Sequence, residues 1–231
     1  MSRLLPASAV PDRSVLEADG IQLAFDGRKI LTDIYLRAEA GQITGLLGRN
    51  GSGKSTLPQT IFGARTVPDA SVRVDGRRAV PAFCTPGLLN YLPQAQLLPP
   101  NMPLRQAAQW LGVELDEATA AFPELRAQLN HRPGELSGGT LRLVQVLLLL
   151  HANTVFSLFD EPFTGIMPVH IETLGEEMRR ACQRKGIVLT DHRYAEVLPL
   201  CDVVYLLHQG RLLKLGANPR EELLDYGYLA R

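Results

Sequence analysis

Charge of one sign is missing from this chain: 24 Lys and Arg face 24 Asp and Glu in 231 residues. No global field therefore selects nucleic acid or anionic lipid. Cysteine is scarce as well. Cys84, Cys182 and Cys201 show neither C-x-x-C spacing nor a His partner in a metal pattern. They read as buried free thiols of a reducing compartment, not as a disulfide framework or metal site. No stretch approaches the ~18 uninterrupted apolar residues needed to cross a bilayer. The longest apolar run, residues 143–150, contains Gln145 and stops at His151. Near the start, residues 1–12 carry a basic residue, but their apolar part is broken by Pro6 and Pro11. That segment reads as a loose tail and not as a signal peptide. Internal repeats and low-complexity segments are absent too. A role at a membrane would have to come through a partner, with no direct insertion.

What remains is an ordinary globular composition, 45% hydrophobic and 21% charged, in a chain long enough to bury a full core. Ile21, Leu23 and Phe25 alternate with polar positions, then Asp26-Gly27 leads to Ile30 and Ile34, a hairpin signal. Residues 43–47 form an apolar strand signal, 56–63 have helical spacing ending on glycine, and Val72 to Val74 with Asp75-Gly76 suggests a second hairpin. From 94 to 139 prolines alternate with short helical patterns at 104–111 and 117–125, as in a small inserted helical lobe. Helices at 141–150 and 171–184 then alternate with strands at 155–159 and 187–190. A hairpin at 203–207 and 211–215 follows, and Asn218-Pro219 marks a helix start. Alternation of strands and helices predicts an α/β core with a parallel sheet.

Gly48-Arg49-Asn50-Gly51-Ser52-Gly53-Lys54-Ser55 matches G-x-x-x-x-G-K-[ST], between an apolar strand and a helix beginning at Thr56. Glycines let successive N–H groups converge on phosphate oxygens, and the helix N-terminus adds its dipole. Lys54 is placed to neutralise β and γ oxygens and Ser55 to ligate Mg²⁺. This loop alone leaves kinases, GTPases and motors open. Pro58 falls about one turn into the following helix, where its missing N–H would leave the Lys54 carbonyl unpaired, and an interior proline costs ~3 kcal/mol.

The strand 155–159 ends in Asp160-Glu161-Pro162. One carboxylate there can hold the Mg²⁺ hydration shell, and its neighbour can orient or deprotonate a water. An isolated Asp-Glu pair is ordinarily a solvated turn. Leu136-Ser137-Gly138-Gly139 precedes a helix and exposes amides at its start, although Ser-Gly-Gly alone is ordinarily a plain cap.

Taken in order, these motifs resemble the ATP-binding subunit of ABC transporters from about residue 15 to 224. That family runs from an adenine-stacking aromatic through Walker A, a glutamine loop, the LSGG signature, Walker B with a glutamate, and the D-loop to a switch histidine. This chain offers Phe25, residues 48–55, Gln94, residues 136–139, Asp160 with Glu161, and His192. The stretches 160–165 and 190–192 are similar to the branch serving lipopolysaccharide export and branched-chain amino-acid import.

The resemblance implies a P-loop NTPase core with a mixed sheet, an N-terminal antiparallel β subdomain and an inserted helical subdomain. Residues 15–93 and 141–231 would form the core, 94–140 the helical subdomain, and 1–14 a tail. It implies ATP and Mg²⁺ as ligands, with Ser55, Gln94 and Asp160 on the metal. Phe25 would stack on adenine, and residues 49–56 would hold the phosphates. Ser137, Gly138 and Gly139 would meet the nucleotide across a homodimer or heterodimer. Glu161, His192, Gln94 and Lys54 would carry hydrolysis. Transmembrane permease subunits would be the partners, with the chain on the cytoplasmic face of a membrane. Taken alone, Phe25 is as readily a core residue, Gln94 a surface loop residue, and His192 a hydrogen-bonded surface group.

Two positions depart from the family pattern. Thr140 stands where Gln usually follows the signature glycines, and Met167 where the D-loop usually has Asp. They motivate a second reading, a weakly hydrolysing regulatory ATP-binding module that pairs with a more complete homologue. A third class, soluble relatives acting on DNA or the ribosome, would carry a long coiled-coil insertion or tandem cassettes. Neither is present, and no basic patch suggests nucleic acid.

Overall fold

A computed structural model describes residues 14–25, 28–79 and 81–229, without the side chains of Phe25 and Arg28. Most of the expected tail lies outside the described residues. Ser14 does not behave as a tail: it is buried, and its carbonyl accepts the Ala40 amide at 2.8 Å.

The alternating N-terminal residues form β1 (Val15–Phe25) and β2 (Arg28–Glu39). They are antiparallel, and the turn at 26–27 lies outside the described residues. Further on, β4 (Asp69–Val74) and the short β5 (Arg77–Arg78) complete a four-stranded sheet in the order β2-β1-β4-β5. Asp75 and Gly76 take φ of 52° and 73° between them, the left-handed pair that a two-residue hairpin turn requires.

The larger sheet contains β3 (Ile43–Gly48), β6 (Leu89–Leu92), β7 (Phe156–Asp160), β8 (Gly186–Asp191), β9 (Val203–His208) and β10 (Arg211–Lys214). Its order is β10-β9-β3-β8-β7-β6, parallel throughout except for the β9–β10 hairpin. Strands β3, β7 and β8 are buried along their whole length, which is why they read as continuous apolar runs. Successive side chains divide between two cores. Leu46, Leu158 and Val188 pack with the N-terminal sheet and with Leu57 and Ile61 of α1 (Thr56–Phe62). Leu47, Phe159 and Leu189 pack with the helices on the other face. Each such side chain contributes about 1.5–3 kcal/mol on burial.

Those helices are α2 (Leu104–Trp110), α3 (Leu115–Ala118), α4 (Gly138–His151), α5 (Pro168–Cys182), α6 (Tyr194–Leu200) and α7 (Pro219–Asp225). Helix α4 is buried at every position from 142 to 150. The apolar run in the sequence is therefore a central core helix, hydrophobic on all sides for that reason. Among the described residues no helix is long and apolar enough to cross a membrane.

Several expectations are corrected. The helix expected over 117–125 is broken into α3 and a 3₁₀ turn, Pro123–Gln128, because Pro123 lacks an N–H and restrains the residue before it. Helix α4 starts at Gly138 and not 141, with the Ser137 hydroxyl accepting the Thr140 amide at 3.2 Å. Helix α5 starts at Pro168, a favoured first position. Strand β6 is too short for periodicity to reveal, and α6 holds an internal Pro199 that hid it. Asn218 makes no side-chain cap; Glu222 Oε1 instead accepts the Gly216 amide at 2.7 Å. Cys84 is exposed, not buried, and all three cysteines are free. Pro58 is the third residue of α1, in the turn where amides lack helical partners in any case. The Lys54 carbonyl is satisfied by the Leu57 amide at 3.3 Å.

Candidate functional site

Sheet order positions the site. In the adjacent parallel strands β3, β8, β7 and β6, Leu47 pairs with Asp191, Asp160 with Thr190 and Leu92 with Phe159. Their carboxyl ends therefore lie along one edge, the usual crevice of an open parallel sheet. That edge delivers the loop after Gly48, the Asp191-His192 pair, the Asp160-Glu161 pair and the Pro93-Gln94 turn side by side.

Gly51 and Gly53 of the loop take φ of 77° and 101°. A Cβ on Gly53 would also crowd the Ile30 side chain of β2 at 3.0 Å. Lys54 is 5% exposed and folds back inside the loop, its Nζ donating to the Gly48 carbonyl at 2.6 Å and the Arg49 carbonyl at 3.0 Å. Burial pulls its ammonium below the ordinary lysine range, against the opposing charges of Glu161, Asp160 and Asp191. Ser55 Oγ donates to Asp160 Oδ1 at 3.0 Å.

Asp160 is fully buried among hydroxyls. Its Oδ1 also accepts from Thr190 Oγ1 at 2.5 Å, and its Oδ2 from the Tyr91 hydroxyl at 3.5 Å. Burial and then the Asp160 charge push the Tyr91 phenol up to about 12, so it stays a donor. Ser55, Asp160 and the nearby amide of Gln94 offer hard oxygens. No cluster of three or more His, Cys, Asp or Glu occurs among the described residues. This donor set fits Mg²⁺, which keeps waters and phosphates as further ligands, and does not suit a soft metal.

Glu161 sits at φ 52°, the left-handed region, with its amide donating to the Thr190 carbonyl at 2.9 Å. Such a non-glycine residue stores about 1–3 kcal/mol of strain. The turn aims its carboxylate at three groups. Oε2 accepts from Gln94 Nε2 at 3.1 Å and Thr164 Oγ1 at 3.2 Å, and Oε1 lies 3.4 Å from His192 Nδ1. Asp191 holds the turn that carries this histidine. Its Oδ1 accepts the amides of His192 and Arg193 at 2.8 and 2.9 Å, and burial raises its pKa.

A cleft of about 460 Å³ opens over these groups, bounded by Leu23 and Ile30 of the N-terminal sheet, residues 50, 51 and 53–56 of the loop, Gln94, Glu161 and His192. A larger cleft of about 730 Å³ is lined by Arg49, Asn50 and His192 together with the C-terminal Arg220, Leu224 and Tyr228, and touches neither carboxylate; Arg49 lies there and not in the smaller cleft. The smaller one is the candidate nucleotide site.

Lys54, Ser55, Gln94, Asp160, Glu161 and His192 thus lie together in space. Asn50, Gly51, Gly53 and Thr56 line the same cleft, while the buried Ser52 hydroxyl has no partner among the described residues. Ser137, Gly138 and Gly139 do not line it; they start α4, where Gly139 packs against Gly165. The Phe25 side chain lies outside the described residues, although its backbone ends β1. Thr140 donates to the Ser137 cap, and Met167 is 57% exposed just before α5. Reading by motif missed Tyr91, Thr164, Thr190 and Arg142. Only Arg142 left a signal, a charge immediately before an eight-residue run on a buried helix.

Comparison with known proteins agrees with this geometry. Residues 31–164 match the ABC transporter family. The lipopolysaccharide export system ATP-binding protein LptB of Escherichia coli K12 is 31% identical over 92% of this chain and 94% of its own length. A probable ABC transporter ATP-binding protein of Azorhizobium caulinodans is 29% identical over 87% of this chain and 76% of its own. Among solved structures, an ATP-binding subunit of an ABC transporter superposes with a TM-score of 0.76 at 23% identity, covering 94% of this chain and 95% of that one. A bacterial Atm1-family exporter with ATP bound gives 0.79 at 22% identity, over 95% of this chain and 42% of that one. These last two establish the fold: a P-loop NTPase with a mixed sheet and an N-terminal antiparallel sheet. The family match over more than half of the chain, with a relative above 30% identity along nearly all of it, places the protein among the ABC transporter ATP-binding ATPases.

Proposed function

We propose that the chain is the hydrolysing subunit of an ABC transporter, in which ATP-driven dimerisation moves substrate through separate membrane subunits. The observation that carries this reading is the convergence of Gln94, Thr164 and His192 on one carboxylate, Glu161, beside the Ser55–Asp160 pair.

In this reading the amides of residues 49–56 and the Lys54 ammonium bind the phosphates, exchanging the Gly48 and Arg49 carbonyls for phosphate oxygens. Phe25 stacks on adenine, with Leu23 and Ile30 as the apolar wall. Ser55, Asp160 and Gln94 hold Mg²⁺, which when bound supplies charge neutralisation at the β and γ oxygens. Glu161 orients a water and takes its proton as the oxygen attacks the γ-phosphorus. The bond to the ADP oxygen breaks, and Lys54 and His192 stabilise the transferred charge.

Two subunits sandwich two nucleotides. Ser137, Gly138 and Gly139 of one subunit face the nucleotide held by the other, which accounts for their place outside this subunit's cleft. The second subunit is an identical copy or another ABC ATPase. The lobe 94–140, inserted between core segments 15–93 and 141–231, passes the motion to permeases. The chain then sits on the cytoplasmic face of a membrane without entering it. The formed Glu161 cluster argues against a merely regulatory module, despite Thr140 and Met167.

Glu161→Gln tests the reading. ATP binding is expected to persist, an ATP-dependent dimer to accumulate on gel filtration, and turnover to fall at least about 100-fold, the lower range for a lost general base. Turnover equal to that of the parent protein overturns the assignment.

A further inference from the structure

Arg142 lies one turn into α4, just before the apolar run, and is 8% exposed. Its guanidinium meets only main chain. Nη1 donates to the Pro93 carbonyl at 2.6 Å, and Nη2 donates to the carbonyls of Asp160 and, at 3.1 Å, Glu161. No carboxylate pairs with it among the described residues. Burial lowers its pKa, and Asp160 and Glu161 oppose that fall only through space.

A buried charge is costly unless its protons are all accepted. Here Nε has no partner among the described residues, so the arrangement is not the cheapest way to fill this space. An apolar side chain would serve a simple core better. What the guanidinium supplies is geometry, because its planar fork directs two nitrogens at fixed positions as a lysine ammonium does not.

The residues it grips are informative. Pro93 precedes Gln94, and Glu161 is the left-handed residue whose carboxylate accepts from Gln94. One side chain therefore ties together the two backbone segments whose side chains must meet. It does so from a helix that begins at Ser137, Gly138 and Gly139.

We propose that Arg142 is a positioning residue that holds Glu161 and Gln94 in register and makes that register depend on the position of α4. This rests on the hydrolytic reading above. When the start of α4 engages nucleotide, the same helix presents the fork that sets the Glu161 turn. When α4 shifts, the turn is free to relax from its strained conformation.

The test uses the full chain with Arg142→Met, Arg142→Lys, Glu161→Gln and the double variant Arg142→Met with Glu161→Gln. For Arg142→Met we expect kcat to fall about 10- to 100-fold while KM for Mg-ATP stays within about threefold, the pattern of a loss felt in the transition state. Arg142→Lys recovers part of kcat. On the Glu161→Gln background, Arg142→Met costs less than about a further threefold, because residues acting as a unit are not additive. Parent kcat in Arg142→Met, or losses that multiply in the double variant, overturn the proposal.

Amide exchange separates this outcome from failure of the hydrolytic reading. The Thr164 amide donates to the Glu161 carbonyl at 3.2 Å. Its exchange should accelerate about tenfold or more in Arg142→Met, while amides of β3 and β8 stay slow. Absence of Mg²⁺-dependent turnover in the parent would sink the hydrolytic reading alone. Unchanged Thr164 exchange in Arg142→Met, or in Arg142→Lys should the methionine variant fail to fold, sinks the positioning role.

Discussion

Gly139 and Gly165 touch main chain to main chain, and a Cβ on Gly139 would lie 2.0 Å from the Gly165 carbonyl oxygen. The start of α4 and the loop following Glu161 are thereby locked together within one subunit. The family resemblance assigns Gly139 to a nucleotide held by another subunit, but this contact demands glycine without any partner. Gly138, one residue earlier, has nothing within 4 Å of its Cβ position. We predict that Gly139→Ala destabilises by about 1–3 kcal/mol, as overpacking does. Gly138→Ala should leave the unfolding free energy within about 0.5 kcal/mol of the parent, as at an open site. Equal midpoints for both variants in urea would remove the intrachain role.

Lys54 is bound twice by its own loop, so under the proposed function a phosphate would replace existing hydrogen bonds. The gain is charge assistance, worth about 1.5–3 kcal/mol per bond. Lys54→Met should weaken ATP about 10- to 100-fold in calorimetric titration, on the same scale. Parent-like affinity in that variant would mean that the loop amides alone hold the nucleotide.

The Tyr228 hydroxyl donates to the His192 carbonyl at 3.1 Å, and burial raises its pKa, so it remains a donor into the alkaline range. The C-terminal segment thus braces the turn carrying His192. Loss of one such bond is worth about 0.5–1.5 kcal/mol. Tyr228→Phe should lower kcat about two- to tenfold with KM for ATP unchanged. A variant with parent kinetics would show that the turn is held by Asp191 alone.

Lys185, just before β8, is 3% exposed, and its side chain caps the C-terminal end of α4. Its Nζ donates to the carbonyls of Leu149 and Ala152 at 3.2 and 2.6 Å and to Thr154 and Ser157 hydroxyls, each at 3.1 Å. Burial, with Arg184 second, brings its pKa down to about 7, whereas the unfolded chain holds that proton to about 10.4. Between these values the unfolded state binds more protons, so this group's contribution is full above about 10.4 and is lost as pH falls towards 7. Lys185→Met should cost about 1–3 kcal/mol at pH 9 by stranding the helix carbonyls. The gap between parent and variant in urea unfolding should narrow from pH 9 to pH 7. A gap that does not change with pH would contradict the titration of this group.

Legibility in the sequence followed the range of the interaction. The hairpin at Asp75-Gly76, the loop 48–55 and the strand ending in Asp160-Glu161 were visible because each is written in consecutive residues. The helix expected over 117–125 breaks at Pro123, whose local restraint the helical spacing does not register, and α6 is disguised by its internal Pro199. Arg142 was passed over because its partners are carbonyls of Pro93, Asp160 and Glu161, and carbonyls carry no residue identity.

By itself the sequence determined the chemistry on offer: a lysine and amides for phosphate, paired carboxylates, a glutamine and a histidine, in a family order. The tertiary structure alone decided that β3, β8, β7 and β6 lie side by side. That adjacency sets Ser55 3.0 Å from Asp160 and Gln94 3.1 Å from Glu161, across 105 and 67 residues of chain. The physical reason is that parallel strand order comes from burying alternate faces of each strand against different layers. That requirement acts between distant segments, and no short motif can express it.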